Sequence, residues 1–262
     1  MADIRNLLSA GFVRLWKRPL LWIVTALALV YPFLMLCTWY QNNQYFIEIN
    51  DPSRILILDH FLFCGSNFWG YLIAAFVSLF LGAEYASGAI RSKIAVGCSR
   101  TSVYLSGLAV AAVGVFVLCF AATLFALAAG APFYGFPRAD AAVILLTLAG
   151  TLCAGMAYAA LFTAACMAMG RNTAASGIVC ALLALAMHYA ANQLNIQLVV
   201  VNVQGSLRTV CQFLYDLLPA GQMGRFNSMS AERPLHLMGW SLVLSALSTA
   251  AGLVLFRRQD VQ

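Results

Sequence analysis

The run from Glu84 to Thr101 sets one carboxylate, Glu84, ahead of three cations, Arg91, Lys93 and Arg100, with glycines at Gly88 and Gly97. Carboxylates and guanidinium or ammonium groups make charge-assisted hydrogen bonds, which is the chemistry of recognition and docking rather than of bond breaking. Ile90 and Ile94 fall one helical turn apart on one face, so the loop over residues 83–101 is expected to carry a short amphipathic element. A plain reading of the charges is a membrane-edge ion pair at Glu84 and a positive anchor at Arg91. The loop lies between two rigid spans, so force applied to it would tilt both helices.

Reaction chemistry is hard to assemble from the other residues. The only two lysines, Lys17 and Lys93, do not follow a glycine in a phosphate-cradling P-loop pattern, so ATP hydrolysis by that route is excluded. The eight cysteines form no CxxC pair and no HExxH occurs, so no metal site is expected. Glu232 and His236 are four apart, but Pro234 lies between them and no third ligand is near. His188 is the one histidine in the body of an apolar run, where a packed hydrogen-bonding residue is the plainer reading than a proton relay. His60 and His236 sit near the ends of apolar runs, as interfacial residues do. Cys37 and Cys64 fall near one surface, where a disulfide is conceivable and small apolar filler is the plainer reading.

The elements that must hold this loop are apolar to an unusual degree. Of 262 residues 63% are hydrophobic and 9% charged, and the mean hydropathy is +0.86. Soluble domains carry about a quarter charged residues, so lipid is the expected solvent. A bilayer core of about 30 Å needs roughly 20 helical residues. Six charge-free runs meet that length: residues 20–40, 61–82, 102–130, 141–170, 174–194 and 235–256. The expected fold class is therefore an all-α integral membrane protein with six transmembrane helices in one domain. Residues 83–101 form its long inner loop and 195–234 an outer segment. In that segment Leu207, Val210, Phe213, Leu214 and Leu217 line one face of a short helix that ends before Pro219. Ahead of the first span, residues 1–18 repeat Ile4, Leu7, Leu8, Phe12, Leu15 and Trp16 at helical spacing, which predicts an interfacial amphipathic helix broken at Pro19.

Orientation follows from the basic residues. With both termini cytoplasmic, Arg5, Arg14, Lys17, Arg18, Arg91, Lys93, Arg100, Arg171, Arg257 and Arg258 lie inside. Arg54, Arg138, Arg208, Arg225 and Arg233 lie outside, as the positive-inside rule prefers. The net charge of +6 thus reflects topology, and no basic stripe on a soluble module is present to bind nucleic acid. The first apolar run continues twelve residues beyond Ala26-Leu27-Ala28, which favours an uncleaved span over a signal peptide.

The inner loop resembles that of the membrane subunits of type-2 ABC exporters, especially small permeases of bacteriocin or lantibiotic immunity and drug efflux. Glu84, Gly88, Ile90, Arg91, Gly97, Ser99 and Arg100 match that family's pattern, while Ala89 stands where a threonine is usual. Leu218-Pro219-Ala220-Gly221-Gln222 is similar to the family's outer segment before the last span. The resemblance implies a permease of the bacterial cell membrane that exports a peptide, drug or lipid-like substrate. It implies a cytoplasmic coupling helix carrying Glu84, Gly88, Ile90, Arg91, Lys93 and Ile94, docked on a separate cytoplasmic ABC ATPase subunit. ATP then belongs to that partner and no cofactor to this chain, and a second permease subunit completes a homo- or heterodimer. A secondary carrier and a non-transport membrane scaffold or sensor share the topology and stand as alternatives.

Overall fold

Six helices in the computed structural model are long and apolar enough to cross a membrane. It describes residues 2–49, 55–63, 66–170, 172–227 and 233–258, and among these no strand occurs. The chain begins with α1 (Ala2–Lys17), breaks at Arg18, and enters α2 (Pro19–Glu48) with proline in its first turn. Proline suits that position because its missing N–H would be unpaired there in any case. α3 (Ser66–Ala86) and the short α4 (Ala89–Ala95) lead to α5 (Arg100–Tyr134) and α6 (Ala141–Met169). α7 (Thr173–Asn195) continues as a π-helical turn, Ile196–Val200. α8 (Gly205–Leu217), α9 (Pro219–Asn227) and α10 (Pro234–Arg258) complete the order.

Most spans lie where the apolar runs put them, with two differences. α2 runs on to Glu48, eight residues past the expected end at residue 40, because Asn43 gives its outer turn a partner. The Asn43 amide donates through Nδ2 to Leu56 O at 2.9 Å and accepts from Leu56 N at 3.0 Å, so the returning loop is tied to the helix. The second span is displaced. Phe61–Phe63 follow a single 3-10 turn, Leu58–His60, and fill a small core beside α2 and α5 instead of starting the helix, which runs from Ser66 to Ala86. Apolar content placed them in the span, but here they are covered by protein. As a result Glu84 stands in the last turn of α3, and the loop expected over 83–101 shrinks to α4 and its two short links.

α3 is the innermost span, with 61% of its apolar window buried, against 17% for α10. Small residues allow the spans to approach closely. On α6, Gly150, Gly155 and the Ala157–Ala160 run are buried, and α10 lies along this helix. Gly252 of α10 sits against the Tyr104 hydroxyl and Ala164, and Gly114 of α5 against the Phe76 ring. Ser245 and Thr249, half-buried on α10, each return their hydroxyl proton to the carbonyl four residues earlier, which satisfies these polar groups within the helix.

α1 does not present one apolar stripe. Leu7, Gly11 and Leu15 face α5, with Gly11 against Val110, while Ile4, Val13 and Trp16 point outward. The stripe read from sequence is shared between protein and surroundings. At the far end of the bundle, Asp59 accepts the backbone N–H groups of Arg138 and Ala139 at 3.0–3.2 Å, joining two loops. α9 enters between α3, α6 and α7, with Phe226 against Gly150.

Two thiols test the α6–α7 contact. Cys166 and Cys180 are buried with their sulfurs 3.5 Å apart. A membrane-permeant oxidant such as iodine is expected to join them, so that both resist alkylation after denaturation until a reductant is added. Alkylation of both thiols after iodine treatment would contradict this packing. Cys37 is exposed and free; the Cys37–Cys64 pairing involves a residue outside those described.

Candidate functional site

The site is built where α3 ends. Gly88 has φ +69°, a left-handed conformation that costs other residues a clash at Cβ, and its N–H closes the helix by donating to Tyr85 O at 3.0 Å. Its carbonyl in turn opens α4 by accepting from Ser92 N at 3.0 Å. Gly97, with φ +95°, ends α4: Gly97 N donates to Ile94 O at 3.0 Å and Cys98 N to Lys93 O at 3.2 Å, the paired bonds of a Schellman motif. The two glycines thus bracket one seven-residue helix and fix its direction.

Glu84 holds that helix in place. One carboxylate oxygen, Oε2, accepts from Lys93 Nζ at 2.8 Å, and the other lies 3.4 Å from Arg14 Nη1 of α1. The Glu84 side chain is 4% exposed and that of Lys93 12%, so their contact is dry; Arg14, at 41%, is half solvated. Arg18 adds a second tie, donating to Phe80 O at 3.4 Å with its guanidinium 5.7 Å from the Phe80 ring. α1, the α1–α2 joint, α3 and α4 are therefore joined at one end of the bundle. Beside them opens a cavity of about 660 Å³ lined by Leu7, Arg14, Arg18, Lys93, Val96 and Cys98.

Of the residues expected to dock a partner, the structure divides the set. Glu84 and Lys93 pair with each other inside the chain. Ile90 is 1% exposed and belongs to the main core, and Ile94 packs on that core half-buried. The Ile90–Ile94 face is therefore spent within this chain and cannot also fill a groove on another protein, because its apolar area is already removed from water. Arg91, Ser92, Ala95 and Val96 are exposed in its place, Val96 at 85%. Sequence periodicity marks which residues share a face but not which side the core takes.

Ser99 and Arg100 have separate work. Ser99 Oγ caps α5 by accepting from Ser102 N at 3.1 Å. Arg100 Nη1 donates to Arg257 O at 3.0 Å and Phe256 O at 3.4 Å, while Arg257 Nη2 donates to Thr101 Oγ1 at 2.9 Å. This reciprocal clasp satisfies carbonyls left open at the end of α10.

No model of a known protein family and no curated protein matches the chain. Other chemistry is sparse in the described residues: no group of three or more His, Cys, Asp or Glu side chains could hold a metal ion. His188 lies among aromatic rings, with centroids 5.5 Å from Tyr71 and 6.4 Å from Phe68. His236 accepts from Trp240 Nε1 at 3.3 Å. The His60 side chain, Arg54, Arg171 and Glu232 lie outside the described residues. Arg14, Arg18 and Val96 were not among the expected site residues, because the packing that brings Arg14 to Glu84 and Arg18 to Phe80 leaves no pattern in the sequence.

Proposed function

We propose that the chain is the membrane-spanning permease subunit of an ABC exporter in a bacterial cell membrane, acting on a peptide, drug or lipid-like substrate. In this reading both termini are cytoplasmic, α1 lies at the inner interface, and α4 is a coupling helix seated on a separate ATPase that binds ATP. A second permease subunit pairs with this one. The observation that carries the reading is the build of α4: a short helix bracketed by two left-handed glycines, tied by Glu84 to α3 and α1, with Arg91 and Val96 left exposed. Lipid cannot pass on a directed force, so a power stroke from the cytoplasm needs such a rigid protein surface. A push on α4 reaches α3 at one end and α5 at the other.

The decisive experiment is co-purification of the chain with its cytoplasmic ATPase. The isolated chain is expected to hydrolyse no ATP. Arg91→Glu and Val96→Asp change only exposed side chains and leave the Glu84–Lys93 pair in place. Each is expected to weaken ATPase capture roughly tenfold or more, since a hydrogen bond to a charged group contributes about 1.5–3 kcal/mol. Unchanged capture in the Arg91→Glu/Val96→Asp double variant, or turnover of ATP by the isolated chain, would overturn the reading.

Orientation is tested separately in intact cells lacking native cysteines. Cysteines introduced at Gln44, Phe136 and Gln204, all exposed, should react with an impermeant thiol reagent, and those at Ala95 and Arg258 only after lysis. The reverse pattern would refute the orientation. Gln222 is fully buried and would report packing instead of sidedness.

A further inference from the structure

At the end of the bundle opposite α4, residues of α8, α9 and α10 surround a cavity of about 420 Å³. Among the described residues its charged lining is Arg208, Arg225, Arg233 and one carboxylate, Asp216, with His236 beside them. Three guanidiniums against a single carboxylate leave a clear excess of positive charge. The acid is at the back: Asp216 is 9% exposed, and its buried Oδ1 accepts no hydrogen bond from the described residues. Arg225 Nε stands 3.5 Å from that oxygen, with its guanidinium 5.2 Å from the Tyr215 ring. Burial pushes the Asp216 carboxyl above the usual range, against the opposing pull of Arg225 and His236.

The front of the cavity has a different character. Arg208 donates to Asn202 Oδ1 at 2.9 Å, which holds it at the rim, and Arg233 is exposed. Phe213 and Trp240 meet edge to face with centroids 5.2 Å apart and give the mouth an aromatic wall. Guanidiniums bordering an apolar surface suit an anion that carries hydrocarbon. A phosphate, with several oxygens, can engage more than one guanidinium fork at once.

We propose that this cavity binds the phosphate headgroup of a membrane phospholipid, with Arg208 and Arg233 on the phosphate and the acyl chains leaving over the Phe213–Trp240 wall. The arrangement is independent of the ATPase reading and would serve a carrier or a scaffold equally.

The test uses the full chain purified in detergent, with retained lipid read by native mass spectrometry after addition of phosphatidylglycerol. Arg208→Gln/Arg233→Gln is expected to lower retention about tenfold or more, and Arg138→Gln, an exposed cation elsewhere at the same end, to leave it unchanged. Gln212→Glu, which adds a carboxylate to the lining, should also lower it and decides the matter if the double variant fails to fold. Inorganic phosphate at millimolar concentration should not displace the lipid. Wild-type retention in the double variant or in Gln212→Glu overturns the proposal. Equal binding of inorganic phosphate and phosphatidylglycerol overturns it in favour of a soluble anion.

Discussion

Replacing Glu84 by alanine is expected to free α4 from the bundle without unfolding the spans. The substitution leaves the Lys93 ammonium, 12% exposed, facing the space its carboxylate filled. Breaking a buried ion pair costs roughly 3–5 kcal/mol when both charges are fully enclosed. The half-solvated Arg14 and the flexible stem of Lys93 reduce that here, and about 2 kcal/mol is a fair expectation. The loss falls on α4 because its other anchors are one buried side chain, Ile90, and the half-buried Ile94. Amide exchange over Ala89–Ala95 should therefore rise about tenfold or more while exchange in α3 and α5 stays as it was. Arg91→Ala gives the contrast: unaltered exchange in α4, since Arg91 makes none of the contacts that hold the helix. If the docking role holds, ATPase capture falls in both variants but for different reasons. Glu84→Gln combined with Lys93→Met should restore much of the protection, because a buried pair can be replaced by neutral side chains of similar size at little cost. Wild-type exchange over α4 in Glu84→Ala would show that the pair does not hold the helix.

Gly221→Ala is expected to be the most damaging single methyl group in the chain. A Cβ at Gly221 would overlap the Tyr215 carbonyl oxygen and stand 3.0 Å from its carbon. Elsewhere, at Gly107 for example, the obstacle is the flexible end of Met167, which can move aside. Here it is main chain, fixed by the corner where α8 turns into α9 at Leu218-Pro219. Gln222, next in sequence, is fully buried; its Nε2 donates to Asp216 O at 2.7 Å and its Oε1 accepts from Ser241 Oγ. Relief of the clash must pull α9 away from these bonds. Overpacking costs about 1–3 kcal/mol where side chains can adjust, and the upper end applies where backbone must. A fall of several degrees in unfolding temperature is expected, with a cysteine placed at Gln222 becoming reactive only in the Gly221→Ala background. An unchanged melting temperature and an unreactive thiol would show that the corner yields easily.

Span number and approximate position were legible because lipid imposes a length and a polarity on every crossing helix. The α1–α2 break was legible from Pro19, and α8 from the spacing of Leu207 to Leu217. The two glycines that bracket α4 stood in the sequence as Gly88 and Gly97, and a left-handed residue at each explains why that spacing bounds a seven-residue helix. What periodicity could not supply was partnership. Glu84 was readable as a membrane-edge acid, but Arg14, seventy residues earlier, is brought to it only by the packing of α1 on α5. Ile90 and Ile94 share a face as expected, yet that face turns inward. Phe61–Phe63 misled for the same reason, since apolar residues covered by protein and by lipid look alike in sequence. The outer cavity is the extreme case: Arg208, Asp216, Arg225 and His236 are spread over twenty-nine positions, and only the α8–α9 corner gathers them.

The clasp between Arg100 and the end of α10 has a mechanical reading. α10 has 25 residues, about 37 Å at 1.5 Å per residue, and it is pinned near its start by Ser241 on Gln222 and at its end by Arg100. A straight rod held at one interior point behaves as a see-saw, and Ser241 is such a point. Tilting α10 by about 5° about Ser241 swings its Arg258 end, about 26 Å away at 1.5 Å per residue, by about 2 Å. A shift of α4 carried through Ser99 and Arg100 to the last turn of α10 would move the opposite tip, which carries His236, the other way.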